Sequence, residues 1–187
     1  MERKQLERRT AYAYQRGVLA IPGGLLAIVF ALGNWQVGPF ANDLVVVGAL
    51  AVLAGAWYAI DRAYRRRYGY VTPSQGTELR TLVAIVVVIG LVFGGSTLLH
   101  SLDAPVNPIA VAMPVAILAM YAIFGMLRAH HLVIWGTVLV VGALPIWDGP
   151  PDPGNVALVI CGAASMLSGA LDHLAFTRLL AAPALDA

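Results

Sequence analysis

Asp172 and His173 stand side by side near the end of the last apolar stretch, and His130 and His131 form a second pair just after Arg128. A carboxylate, imidazoles and a guanidinium together can exchange protons, form an ion pair, or hold a divalent cation through oxygen and nitrogen. Spacing narrows that choice. Neighbouring residues on a helix point about 100° apart, so His130 and His131 are not expected to serve one ion together. The pattern also matches no zinc-enzyme motif, and no metal is expected. What remains is a cluster that anchors a helix end or responds to a proton or ligand.

The elements that must position these residues are apolar. Six such stretches, near 17–33, 44–58, 81–99, 109–127, 132–146 and 156–175, are separated by short connections. All twelve Lys and Arg residues fall in residues 1–16 and 61–80 or at Arg128 and Arg178, whereas the connections 34–43, 100–108 and 147–155 hold none. Basic residues stay on the cytoplasmic side during insertion, so this split predicts both the number of spans and their direction. The expectation is an all-α, integral membrane six-transmembrane-helix bundle, up-and-down, with both termini cytoplasmic.

Composition agrees. Apolar residues make up 59% of the chain, charged residues 12%, and the mean hydropathy is +0.77. The connections leave no room for a soluble domain, so residues 1–187 are expected to form a single membrane domain. Within it, 1–16 is a basic cytoplasmic segment, 17–180 carries the helices, and 181–187 is a tail. No Ala-x-Ala follows the first stretch, which is therefore expected to be retained as a helix. The preference for Arg over Lys, with abundant Ala, Gly and Val, points to a bacterium and its cytoplasmic (inner) membrane. The single Cys161 offers no disulfide and is expected to be a small packing residue. A basic membrane face meets anionic lipid headgroups rather than nucleic acid.

Depth singles out Asp172. It lies sixteen residues after Val156, about 24 Å into a hydrocarbon core of roughly 30 Å. A carboxylate facing hydrocarbon is costly, so Asp172 should turn into the bundle, toward Arg128–His131. Gly90 and Gly94 form a GxxxG pattern, and Ala157, Cys161, Ser165, Gly169 and His173 recur every fourth residue. Both patterns are expected to mark helix packing, within the chain or between copies. Trp135 and Trp147 suit the two interfaces of the fifth span.

The second stretch should continue past the membrane, with Asp61 and Arg65 paired four apart and Gly69 as its cap. Thr72-Pro73-Ser74-Gln75 has the form of a capping box. Arg65, Arg66 and Arg67, set among Tyr64 and Tyr68, are expected to meet anionic headgroups or an acidic partner. The loop Asp148–Gly154 is expected to be a rigid acidic turn; it lacks the spacing of a calcium loop.

Two partial resemblances bear on function. Ser168-Gly169 with His173 resembles the serine motif of the six-helix rhomboid intramembrane proteases. Their Gly-x-Ser-Gly reads Met166-Leu167-Ser168-Gly169 here, without the first Gly. Ala27-Ile28-Val29-Phe30-Ala31 resembles the docking sequence of the substrate-binding subunits of energy-coupling vitamin transporters, which have six helices and similar length. Their long binding loop has no counterpart in 34–43. No nucleophile with a base, phosphate loop or cofactor motif stands out. The leading expectation is a membrane subunit without a catalytic site or cofactor, accessory or sensory to a transport or signalling complex and acting through a protein partner or homo-oligomer. The alternatives are a small transporter or channel, then an intramembrane enzyme.

Overall fold

A computed structural model describes residues 3–68, 75–147 and 152–181, with side chains described for 18–66, 79–147 and 152–178. Gly69, Tyr70, Thr72–Ser74 and Asp148–Pro151 lie outside the described residues, as do the side chains of Arg67 and Tyr68.

Among the described residues the chain is all helix, with no strand. The helices are α1 (Arg3–Asn34), α2 (Asp43–Tyr68), α3 (Gln75–Ile89), α4 (Gly95–Ser101), α5 (Pro108–Ile123), α6 (Ala129–Ala143) and α7 (Pro153–Ala181). A short 3-10 turn, Gly38–Ala41, precedes α2, and a π-helical segment, Gly90–Gly94, joins α3 to α4. Three runs are long and apolar enough to cross a membrane: Asp43–Arg66, Leu79–Ser101 and Pro153–Arg178. Val18–Asn34, Pro108–Ile123 and Ala129–Ala143 are shorter apolar helices. On that ground this is a membrane protein.

Local chemistry explains the ends. Asn107 Oδ1 accepts from the backbone N–H of Ile109 (3.1 Å) and Ala110 (3.0 Å), and Pro108 needs no donor at the first helical position, so α5 starts there. Asp152 does the same for α7, taking the Asn155 N–H on its carboxylate at 3.3 Å, with Pro153 at the first helical position. α6 stops at Ala143, with Leu144 extended ahead of Pro145, as a residue before proline prefers. It therefore ends short of residue 146.

α7 packs most extensively against α1, and α5, α6 and α7 pack on one another. The closest approach is at Gly24 and Gly162, where a Cβ added to Gly162 would lie 2.6 Å from the Gly24 carbonyl oxygen. Small residues at such a crossing let two backbones meet in lipid, where no hydrophobic force drives them together. Tyr121, Trp135, Val138, Cys161 and Ala164 fill the core between α5, α6 and α7. Trp135 is thus in the interior, not at an interface, and Trp147 is also buried, its Nε1 donating to the Val141 carbonyl at 3.2 Å.

The GxxxG pattern makes no packing contact within the described chain. Gly90 and Gly94 are exposed, and an added Cβ on either would meet nothing within 4 Å, so they form no helix contact within the described residues. They sit on the exposed side of the π segment, which packs on α5 through other residues. The neighbouring Gly95 makes the contact, against Ala112.

At one end of the bundle, asparagines bind the helices together. Asn34 Nδ2 donates to Asn155 Oδ1 at 3.0 Å, and Asn155 Nδ2 donates to Asp152. Asn107 Nδ2 donates to the Pro153 carbonyl at 2.8 Å, and the Asn107 N–H to the Gly142 carbonyl at 2.9 Å. The C-terminal ends of α1 and α6 therefore meet the N-terminal ends of α5 and α7.

Candidate functional site

The opposite end of the bundle carries charge. α5 finishes at Ile123, and Gly125, with φ of 64°, turns the chain so that Arg128 can start α6. His130 and His131 occupy the first turn of α6, facing Asp172 on α7. The Arg128 guanidinium donates to Asp172 Oδ1, which also takes His130 Nε2 at 3.2 Å, while His131 Nε2 reaches Oδ2 at 3.3 Å. Asp172 is 1% exposed and His131 is fully buried. Three donors thus converge on one buried carboxylate.

The protons can be assigned. His131 Nδ1 lies 3.3 Å from the Arg128 backbone N–H, a group that can only donate. Nδ1 therefore accepts, and the ring proton sits on Nε2, pointing at Asp172. In this arrangement His131 is a donor to the carboxylate. Tyr121 covers its other face, with ring centroids 3.8 Å apart and planes 11° from parallel.

The expectation that His130 and His131 diverge is corrected. Their ring centroids are 4.1 Å apart at 61°, because each imidazole swings toward the same carboxylate. One ligand atom from each of His130, His131 and Asp172 lies within 4.8 Å of the others, a spacing that a divalent ion could accept. The hydrogen bonds run against it. Coordination through His131 Nε2 would move the ring proton to Nδ1, against the Arg128 N–H, and the ion would have to displace the guanidinium. The positive charge at this carboxylate comes from Arg128.

His173, one residue on, belongs to a different contact. It is exposed, and its Nδ1 lies 3.1 Å from the Tyr64 hydroxyl, while the Tyr64 ring stacks on Phe176 at 6.3 Å. The turn of about 100° between successive helical residues sends Asp172 to α6 and His173 to α2. Of the basic segment, Arg65 pairs with Asp61 at 2.6 Å, Arg66 is exposed, and Tyr64 reaches into the bundle rather than toward headgroups.

On α7, Cys161 and Gly169 are buried, and Ser165 is half-buried. Ser168 is fully buried and its hydroxyl has no hydrogen-bond partner among the described residues; the same holds for Trp135 Nε1. Ser168 lies one turn before Asp172, and Trp135 one turn after His131, so both unpaired donors sit one turn deeper than the ion pair. His173 turns to Tyr64 and makes no hydrogen bond to Ser168. Tyr121 escaped notice in the sequence because nothing in its spacing marks it. Asn107 was not singled out either, although it stands before Pro108 as an N-cap does, the signal that marks it.

The chain matches no protein-family model, no curated protein and no solved structure. Function therefore has to be argued from geometry.

Proposed function

We propose that this is a six-span protein of a bacterial inner membrane, with both termini in the cytoplasm, that serves without catalysis as an accessory or sensory subunit acting through a protein contact. One observation carries the reading. None of the residues in the most apolar window of α2 is buried by the chain, and only 6% of those in the window spanning α3 and α4 are, against 39% in α7. Gly90 and Gly94 lie on that uncovered surface, where close helix–helix approach from another chain would be accommodated. The charge split supports the orientation, and the Asp172 cluster then lies on the cytoplasmic side.

A photoreactive amino acid at position 94 in native membranes tests this, with position 133 as control, since Val133 is 67% exposed on α6. Protein adducts at 94 and lipid adducts alone at 133 are expected. Lipid adducts alone at both would end the reading. A second reading, a small transporter, is favoured by the unpaired donors of Ser168 and Trp135 below Asp172, which a polar solute or water would satisfy.

A further inference from the structure

The attachment of α2 to the rest of the bundle is uneven. It packs on α1, and among the described residues no Cα of α2 lies within 8 Å of one in α5 or α7. Near its start the seat on α1 is tight: a Cβ added to Gly33 would lie 3.1 Å from Val46 Cγ2. Eighteen residues after Val46, about 27 Å along the axis, side chains bridge from α2 to α7. The Tyr64 hydroxyl lies 3.1 Å from His173 Nδ1, and the Tyr64 ring stacks on Phe176 with centroids 6.3 Å apart. Phe176 is buried and Tyr64 half-buried, so they form a small apolar cluster of their own, apart from the core between α5, α6 and α7.

Between those two attachments α2 walls a cleft of about 360 Å³, lined by its Trp57 together with Gly23 of α1, Met113 and Met120 of α5, and Ser165 of α7. Trp57 and Tyr64 are seven residues apart, about two turns, and so share one face of α2 to within about 20°. One face therefore both walls the cleft and carries the contact with α7. None of the residues in the most apolar window of α2 is buried, and an element with so little buried surface belongs to the low-stability end of a fold. A tight seat at one end with a side-chain contact at the other is the layout of a hinge. We propose that α2 is a hinged side wall, seated on α1 at Gly33 and Val46 and latched to α7 by Tyr64 on His173 and Phe176, and that release of the latch opens the cleft sideways toward the bilayer. The device works the same way whatever occupies the cleft or covers the outer face of α2. His173 follows Asp172, so the latch and the ion pair engage the same turn of α7.

Pulsed electron spin resonance on the full chain in lipid nanodiscs provides the test, with nitroxides on introduced cysteines in a Cys161→Ala background. One labelled pair joins Ala59 on α2 to Leu132 on α6, and a control pair joins Val133 on α6 to Leu167 on α7; all four positions are exposed. Ala59 lies thirteen residues after Val46, about 20 Å, so a tilt of α2 by about 10° moves it by about 3 Å. Tyr64→Ala should lengthen and broaden the 59–132 distance by about that amount or more, while the 133–167 distance stays as in the wild type. An unchanged 59–132 distance would overturn the proposal. So would an equal change at 133–167, because Tyr64 would then be a general packing residue and not a latch. Should Tyr64→Ala fail to fold, His173→Leu, at an exposed position, takes its place with the same expected result and the same two overturning ones.

Discussion

The two ends of the bundle solve the same problem with different chemistry. At the asparagine end, Asn34, Asn107 and Asn155 join α1, α5, α6 and α7 through neutral amides, and the side-chain amide of each has a partner. At the aspartate end, α6 and α7 are joined by a charge pair and two imidazoles, with two unpaired donors one turn deeper. Amide hydrogen bonds do not change with pH, and each contributes about 1 kcal/mol. A buried carboxylate is different: it is stable only while its partners stay in place, and their charge depends on protonation. One end is a fastener; the other can change state.

The largest expected effect is at Arg128. Its side chain is 26% exposed whereas that of Asp172 is 1% exposed, so losing the base strands the acid more severely than the reverse. Arg128→Met should cost about 3–5 kcal/mol in thermal unfolding. The loss should shrink as pH falls from about 8 to about 5, because a protonated His130 can replace the missing charge. A deficit that stays constant across that range would remove the distinction between the ends.

Asp172→Asn should cost less, about 2 kcal/mol, since Arg128 can turn toward water. If it costs more than Arg128→Met, the direction of stranding has been misjudged. At the other end, Asn155→Ala removes the links to Asn34 and Asp152, and should cost about 1–2 kcal/mol with no change between about pH 5 and 8. A pH-dependent loss there would make both ends alike. The smallest effect belongs to Ser168→Ala and Trp135→Phe. Each deletes a buried donor that has no partner, so Tm should stay nearly unchanged or rise slightly. A drop of several degrees would mean that a water or solute is bound between them.

Particular residues show how far the sequence could be read. The helices were legible because apolar runs are local; the caps of α5 and α7 were not read, although Asn107 before Pro108 and Asp152 before Pro153 mark starts that a few neighbouring atoms enforce. The pairing of Asp61 with Arg65 was legible for the same reason, being one turn of one helix. Gly90 and Gly94 were only half legible, since two glycines four apart describe a surface that could pack, not what packs on it. Trp135 misled. Its place near a span end suggests an interface, but the close packing of α5, α6 and α7 encloses it.

Asp172 marks the boundary between the two kinds of knowledge. The sequence by itself determined that a carboxylate this deep in an apolar helix needs partners, because desolvating a charge is costly wherever the helix goes. It also determined that Asp172 and His173 must face different ways, since a helix turns about 100° per residue. Only the tertiary structure decided that both imidazoles reach one carboxylate, and that Tyr121 closes over His131. The rotation of α7 that aims Asp172 there follows from contacts far away in the chain, among them the meeting of Gly24 with Gly162. Nothing local to residue 172 encodes it.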